Sequence, residues 1–241
     1  MKTQISKGRL FVVGAGGHGK VVIDALSSAG DFEIVGVIDD DQEKIGRKVL
    51  GVPVVGSCAQ LSSLAAKYRV DGTALAIGNN YIREQLFRRV KGAGLVVMSV
   101  IHPTACISRF AALGEGVVVL ARSVINPGSV LGDNVCVNTG ASIDHDNHLE
   151  YSCHVFPNAT LAGGVHVGEF SYIGAGAVVI PNRRIGRLAY VGAGAVVINH
   201  VSDGVKVAGV PAREIGGQAG QSLQAVAAAP ERLPVATERH P

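Results

Sequence analysis

Asp144-His-Asp-Asn-His148 sets an imidazole between two acids. A neutral imidazole accepts a proton from an attacking amine or hydroxyl near pH 7, and a carboxylate at its other nitrogen fixes the tautomer and raises its basicity. His145 is therefore the candidate base, with Asp146 or Asp144 as its support. Neighbours on a strand point to opposite faces, so the pairing requires a bend in the chain or an acid from a second subunit. Eighteen residues after His145, the Ala162-Gly163-Gly164 stretch offers a main-chain N–H at Gly163 that no side chain obstructs. An oxyanion needs that type of donor. The plainer alternative is a surface histidine among solvated acids. His148 and His166 are also eighteen apart, which raises a metal alternative, but outward stacking of neutral rings explains that pair more simply and no metal is assigned.

A second constellation lies near the start. Residues 10–13 read as a buried strand, followed by Gly14-Ala-Gly-Gly-His-Gly19 and then an apolar-periodic helix over residues 20–29. Gly14, Gly16 and Gly19 satisfy GxGxxG between strand and helix, and Asp39 stands twenty residues beyond the last glycine, at the end of the next strand. That context suits a phosphate at the helix N-terminus and a carboxylate on a sugar or base. The alternative is a tight turn without a ligand. His18 stands beside the phosphate position, and Gly78-Asn-Asn80 follows a later strand at the end where open α/β sheets take ligands. An α/β unit of roughly a hundred residues hardly supplies both halves of a dinucleotide fold, so a mononucleotide or nucleotide sugar fits better.

These two groups need two kinds of scaffold. Strands over 33–38, 52–55, 74–77 and 95–101 alternate with helices over 59–68 and 82–91, implying a small parallel sheet with helices on its faces. From Ile107 to Val197 the chain changes period: every sixth residue is aliphatic, at sixteen consecutive positions. A helix repeats near 3.6 and a strand near 2, so a strict six indicates the short strands of a parallel β-helix, three sides to a coil. Residues eighteen apart then stack at about 4.8 Å, which puts position 145 on a corner, pointing outward. The residue just after each aliphatic is often Gly, Asn or Asp, as at Gly114, Asn126 and Asp144, and is expected to supply the positive φ of the corner. The expected division is an α/β domain over residues 1–102, the β-helix over 103–216 and a flexible tail over 217–241.

The chain has 241 residues, 47% hydrophobic and 17% charged, with 32 glycines, which describes a turn-rich globular protein. A net charge of +3 without a dense Lys/Arg stripe argues against nucleic-acid binding. Four cysteines without a CxxC pair suggest reduced thiols rather than a disulfide framework. The polar opening residues and the glycines that interrupt the next apolar run leave no expected leader or membrane span, so the expected location is cytoplasmic.

Taken together, the sixteen hexads, GAGGHG, the Asp39-Asp40 pair, Ile77-Gly-Asn-Asn80, the Asp144-His-Asp146 corner and Gly209-Val-Pro-Ala-Arg213 resemble the left-handed β-helix acyltransferases that acetylate nucleotide sugars. Within these they are most similar to the bacterial UDP-4-amino-sugar N-acetyltransferases of bacillosamine synthesis. The wider family includes sialic acid O-acetyltransferases and GDP-perosamine N-acetyltransferases. The resemblance covers about residues 8–215 and implies the following. The fold is a Rossmann-like α/β domain followed by a left-handed parallel β-helix. The activity is N-acetylation of a nucleotide-linked 4-amino-sugar by acetyl-CoA in one direct attack. His145 is the base and Asp146 the acid behind it, standing where the nearest relatives carry the longer Glu. His154 contacts acetyl-CoA, as do the main chains of Ala175 and Ala193. Ala15, Gly16, Gly17, Asp39, Asp40 and Gly78 contact the sugar nucleotide. The implied assembly is a homotrimer with acetyl-CoA between neighbouring prisms. O-acetylation of a sialic-acid-type sugar, a metal-dependent hydratase of the γ-carbonic anhydrase type and a non-catalytic nucleotide-sugar binder are the rival readings.

Overall fold

The computed structural model describes residues 8–216. The tail expected over 217–241 lies outside the described residues. The first domain runs β1 (Gly8–Val13), α1 (Gly17–Ala29), β2 (Phe32–Ile38), β3 (Lys48–Val49), β4 (Val52–Gly56), α2 (Leu61–Tyr68), β5 (Gly72–Leu75), α3 (Asn80–Gly92) and β6 (Val96–Val97). The sheet order is β3-β4-β2-β1-β5-β6, parallel except for the β3–β4 edge pair. β1 and β2 are nearly continuous apolar runs because both faces of the sheet are covered. On one face Phe11 and Val13 pack with Leu61 of α2 and Leu86, Phe87 and Val90 of α3. On the other, Leu10 and Val12 pack with Val22, Ile23 and Leu26 of α1.

That second cluster continues into Val118, Leu120 and Cys136 of the next domain, so α1 is held between the sheet and the β-helix. Two further residues bind the domains together. The Asn80 N–H donates to the Tyr172 hydroxyl at 2.7 Å, and its side-chain amide donates to the Phe170 carbonyl at 3.1 Å. Arg83, only 1% exposed, donates to the carbonyls of Ile77 (3.1 Å), Asn134 (3.2 Å) and Ser152 (3.1 Å). A buried guanidinium is tolerable only when its donors are used in this way.

The β-helix begins earlier than the sequence suggests. The single strand expected over 95–101 is two pieces: β6 pairs with β5, whereas β7 (Val100–Ile101) pairs with Val118–Val119 and forms the first rung. From there two-residue strands recur every six residues, through β8 (Cys106–Ile107), β14 (Ser142–Ile143), β15 (His148–Leu149), β17 (Thr160–Leu161) and β18 (His166–Val167) to β23 (Val196–Val197). Partners are eighteen apart, as in Val118↔Cys136 and Ser142↔Thr160, and the strands form three parallel sheets. The aliphatic column is interior: Ile125, Leu131, Ile143, Leu149, Leu161 and Val167 are 0–1% exposed.

The corners differ from the expectation. From Leu113 to Val191, positive φ falls on the third residue after the aliphatic, as at Gly128, Asp146 and Gly164, not on the residue just after it. The glycines at that first position answer to crowding: a Cβ on Gly168 would stand 2.5 Å from the Arg187 nitrogen, and one on Gly174 2.6 Å from the Ala193 nitrogen. Close approach of the next rung selects them.

Candidate active site

His145 follows β14 at a corner, and Asp146 occupies the left-handed position there, with φ 56°. Aspartate tolerates this conformation better than most residues. The bend it makes brings the neighbouring side chains together: Asp146 Oδ2 lies 2.8 Å from His145 Nδ1. The chain itself bends enough for the pairing, and the short aspartate reaches. Asp144 supports the same corner from the other side. Its Oδ1 accepts from the His145 N–H at 2.8 Å and from the Asn126 amide at 2.9 Å, and these bonds hold its pKa below the usual carboxylate range. The hydrogen bond that Asp146 accepts from Nδ1, then the charge of Asp144, raise the His145 pKa above the ordinary histidine value. Nε2 is left to face outward, on a side chain 61% exposed.

Beneath this corner lies Asn147, a polar residue at an inward position where most coils carry Ala, Ser or Val, and it is 1% exposed. Its amide donates to the carbonyls of Asp144 (2.7 Å), His145 (3.3 Å) and Ala162 (3.0 Å), tying two rungs together. On the next rung Gly163 meets the imidazole directly: a Cβ there would stand 2.6 Å from His145 Cε1 and Nε2. Among the described residues the N–H groups of Gly163, Ala175 and Ala193 have no acceptor. Ala175 and Ala193 are exposed on another corner, with the Gly194 N–H donating to the Ala175 carbonyl at 2.8 Å.

In the α/β domain the glycine turn caps α1. Gly14 and Gly19 are demanded by the fold, since a Cβ on Gly14 would meet the Ala76 carbonyl at 2.7 Å and one on Gly19 the Gly14 carbonyl at 2.2 Å. Gly16, Gly17 and Gly78 face open space, so nothing inside the protein requires them to be bare. Gly16 is the N-cap of α1 and makes no side-chain cap bond, which leaves first-turn N–H groups available to an anion. Asp39 braces the turn, accepting from the Ala15 N–H at 2.7 Å and the Asp41 N–H at 2.9 Å, and Asp40 accepts from the Cys58 N–H at 2.7 Å. Both line a cleft of about 260 Å³ with Gly14, Ile77, Gln85 and Arg89. It opens at the carboxyl ends of β1 and β2, on the side of β5, the region where open α/β sheets bind ligands.

Two expected site residues sit elsewhere. His154, read as a cofactor contact, is 2% exposed between the domains, with Nδ1 3.1 Å from the Gly78 carbonyl and its ring stacked on Phe156 at 4.2 Å. As placed it holds the Gly78 loop. His18 turns away from the mouth of α1 toward the β-helix, 3.9 Å from Cys136 Sγ and 6.1 Å from the His154 ring. Burial and then the Arg83 charge push its pKa down to about 4, and burial, then the Arg83 charge, hold His154 well below the ordinary histidine value. Arg83 escaped the sequence reading, and nothing local marks it. The sequence marks Asn80 only as part of the Gly78-Asn-Asn80 loop, with no sign of its partners in the β-helix, and marks Asn147 only as a polar residue at an inward position.

Among the described residues no helix is long and apolar enough to cross a membrane. Residues 9–90 match the PglD N-terminal domain family. A UDP-N-acetylbacillosamine N-acetyltransferase from Bacillus subtilis (strain 168) is 37% identical over 111 residues, 46% of this chain and half the length of that enzyme. The structure superposes on that of a histidine mutant of perosamine N-acetyltransferase from Caulobacter crescentus in complex with CoA and GDP-perosamine, with TM-score 0.83 and 40% identity, covering 89% of this chain and 100% of that one. It also superposes on the acetyltransferase domain of PglB from Neisseria gonorrhoeae FA1090 in complex with acetyl coenzyme A, with TM-score 0.81 and 38% identity, covering 87% and 100%. With that identity maintained across the whole of a solved enzyme, on the same pairing of α/β domain and β-helix, this chain belongs to the nucleotide-sugar N-acetyltransferase family.

Proposed function

We propose that the protein transfers the acetyl group of acetyl-CoA to the amine of a nucleotide-linked 4-amino-sugar. The amine nitrogen attacks the thioester carbonyl while His145 Nε2 takes its proton, the C–S bond breaks, and the proton passes to the departing thiolate. The observation that carries this reading is the His145–Asp146 contact of 2.8 Å on an exposed corner, one rung from the bare Gly163. Asp146 keeps the basic tautomer in place, and the Gly163 N–H is the donor for the tetrahedral oxyanion.

The nucleotide is assigned to the cleft and helix mouth formed by Ala15, Gly16, Gly17, Asp39, Asp40 and Gly78, with His18 packed behind the turn. Acetyl-CoA is assigned to the exposed main chain at Ala175 and Ala193, and His154, expected as a cofactor contact, is assigned to holding the Gly78 loop of the nucleotide site. A homotrimer is part of the proposal: the His145 corner stands open on the single chain, and a neighbouring prism would cover it. A cytoplasmic setting accords with the four free thiols.

The test is release of free CoA from acetyl-CoA with a UDP-4-amino-sugar, a GDP-4-amino-sugar and a sialic acid offered separately. Turnover with a nucleotide amino-sugar supports the reading. Turnover with the sialic acid alone assigns O-acetylation, and tight nucleotide-sugar binding without thioester cleavage makes the protein a binder.

A further inference from the structure

A second cluster of chemically able side chains lies on the side of the β-helix that leaves the His145 corner. His148 and His166 are in register on β15 and β18. Their ring centroids are 5.2 Å apart but the planes are tilted by 59°, so the rings converge and do not stack face to face. Leu149 points into the column, which turns both His148 and Glu150 outward on one face. Glu150 Oε1 lies 2.8 Å from His166 Nε2. Its Oε2 accepts from the Glu169 N–H at 3.0 Å, so the carboxylate is aimed by the backbone of the rung above. One ligating atom from each of the three residues lies within 4.8 Å of the other two.

We propose that His148, Glu150 and His166 form a binding site for a divalent transition-metal ion of the zinc class. Bonds of about 2.0–2.1 Å place ligand atoms on a tetrahedral zinc about 3.3 Å apart, a closure that side-chain rotation supplies on a backbone already fixed by the rungs. Two imidazoles and one carboxylate suit zinc, nickel or copper. They do not suit calcium or magnesium, which ask for oxygen alone. His148 is exposed and Glu150 and His166 are half-buried, so the cluster is reachable from outside the column. Arg184 follows His166 in register and Val130 precedes His148, so the column offers one opposing cation and no thiolate. The site is therefore of moderate affinity. It shares no residue with the acetyl-transfer machinery, and its existence does not depend on that assignment.

The experiment is calorimetric titration of the tag-free, metal-stripped full chain with Zn²⁺ at neutral pH, with the visible spectrum of added Co²⁺ as a second reading. One Zn²⁺ per chain is expected, with affinity reduced at least about tenfold by His148→Ala, by His166→Gln and by Glu150→Gln. Asp146→Asn, which would disable a site at the neighbouring corner, should leave the titration unchanged. Circular dichroism of each variant separates lost binding from lost fold, and the exposed His148 provides a change that leaves the column intact. Absence of saturable uptake overturns the proposal. So does uptake that survives both histidine variants, or uptake that is abolished by Asp146→Asn.

Discussion

The imidazole of His145 lies against the bare Cα of Gly163, where a Cβ would stand 2.6 Å from both Cε1 and Nε2. The backbone of Gly163 is not in the left-handed region, so alanine fits the main chain and only the ring must yield. Gly163→Ala is expected to fold normally and to lower kcat by roughly 10²-fold, because a displacement of about 1 Å at a reacting group costs that much. Steady-state kinetics beside a melting curve checks it. Unchanged turnover would mean that the ring is not held where the geometry puts it.

The pH profile reports on Asp146. Its bond is the largest of the influences that raise the His145 pKa, and the base works only when neutral, so the rate rises with pH through that raised value. Asp146→Asn removes the carboxylate charge and leaves only a neutral amide at Nδ1: the acidic limb of the kcat/KM profile should move to lower pH while the plateau falls, since a less basic imidazole is a weaker proton acceptor. Asp146→Glu should preserve the limb. A limb that stays fixed in Asp146→Asn would assign the observed titration to another group.

Asn147 is predicted to position the base from inside the column. Asn147→Ala removes one donor from each of the Asp144, His145 and Ala162 carbonyls; the Ser129 hydroxyl still donates to the first and the Gly164 N–H to the second, so the Ala162 carbonyl is the one left without a donor. Buried groups left unpaired in this way cost about 1–3 kcal/mol, or a few degrees of melting temperature in a chain of this size. Turnover should fall more than the melting point suggests, with KM for both substrates little changed. Thermal melts and kinetics on the same preparation decide it.

How far the sequence could be read follows from where each constraint acts. The six-residue period was legible because one inward aliphatic per side is a local requirement, repeated from Ile107 to Val197. The corner at residue 145 followed from counting alone. The role of the glycines did not: Gly168 and Gly174 are small because a rung eighteen residues away crowds them, and that reason is invisible from the residue itself. The same holds for Arg83 and Asn80, whose partners at Asn134, Ser152, Phe170 and Tyr172 lie 51–92 residues away. The resemblance implies a cofactor contact for His154 and the glycine turn a ligand contact for His18, whereas packing of the two domains encloses both rings.

The helix mouth gives a separate prediction. A Cβ at Gly16 meets no protein atom within 4 Å, so Gly16→Ala should leave the fold intact and put a methyl group into the space assigned to phosphate. The KM for the nucleotide sugar should rise about tenfold or more while that for acetyl-CoA stays put. A matched rise in both, or in neither, would remove the nucleotide from this turn.

The proton acceptor itself is tested most directly by the kcat of His145→Ala, measured with saturating acetyl-CoA and the preferred nucleotide amino-sugar. A loss of about 10²–10⁴-fold, with unchanged melting temperature and unchanged KM values, is the predicted result. Turnover within a fewfold of the unmodified protein would contradict it.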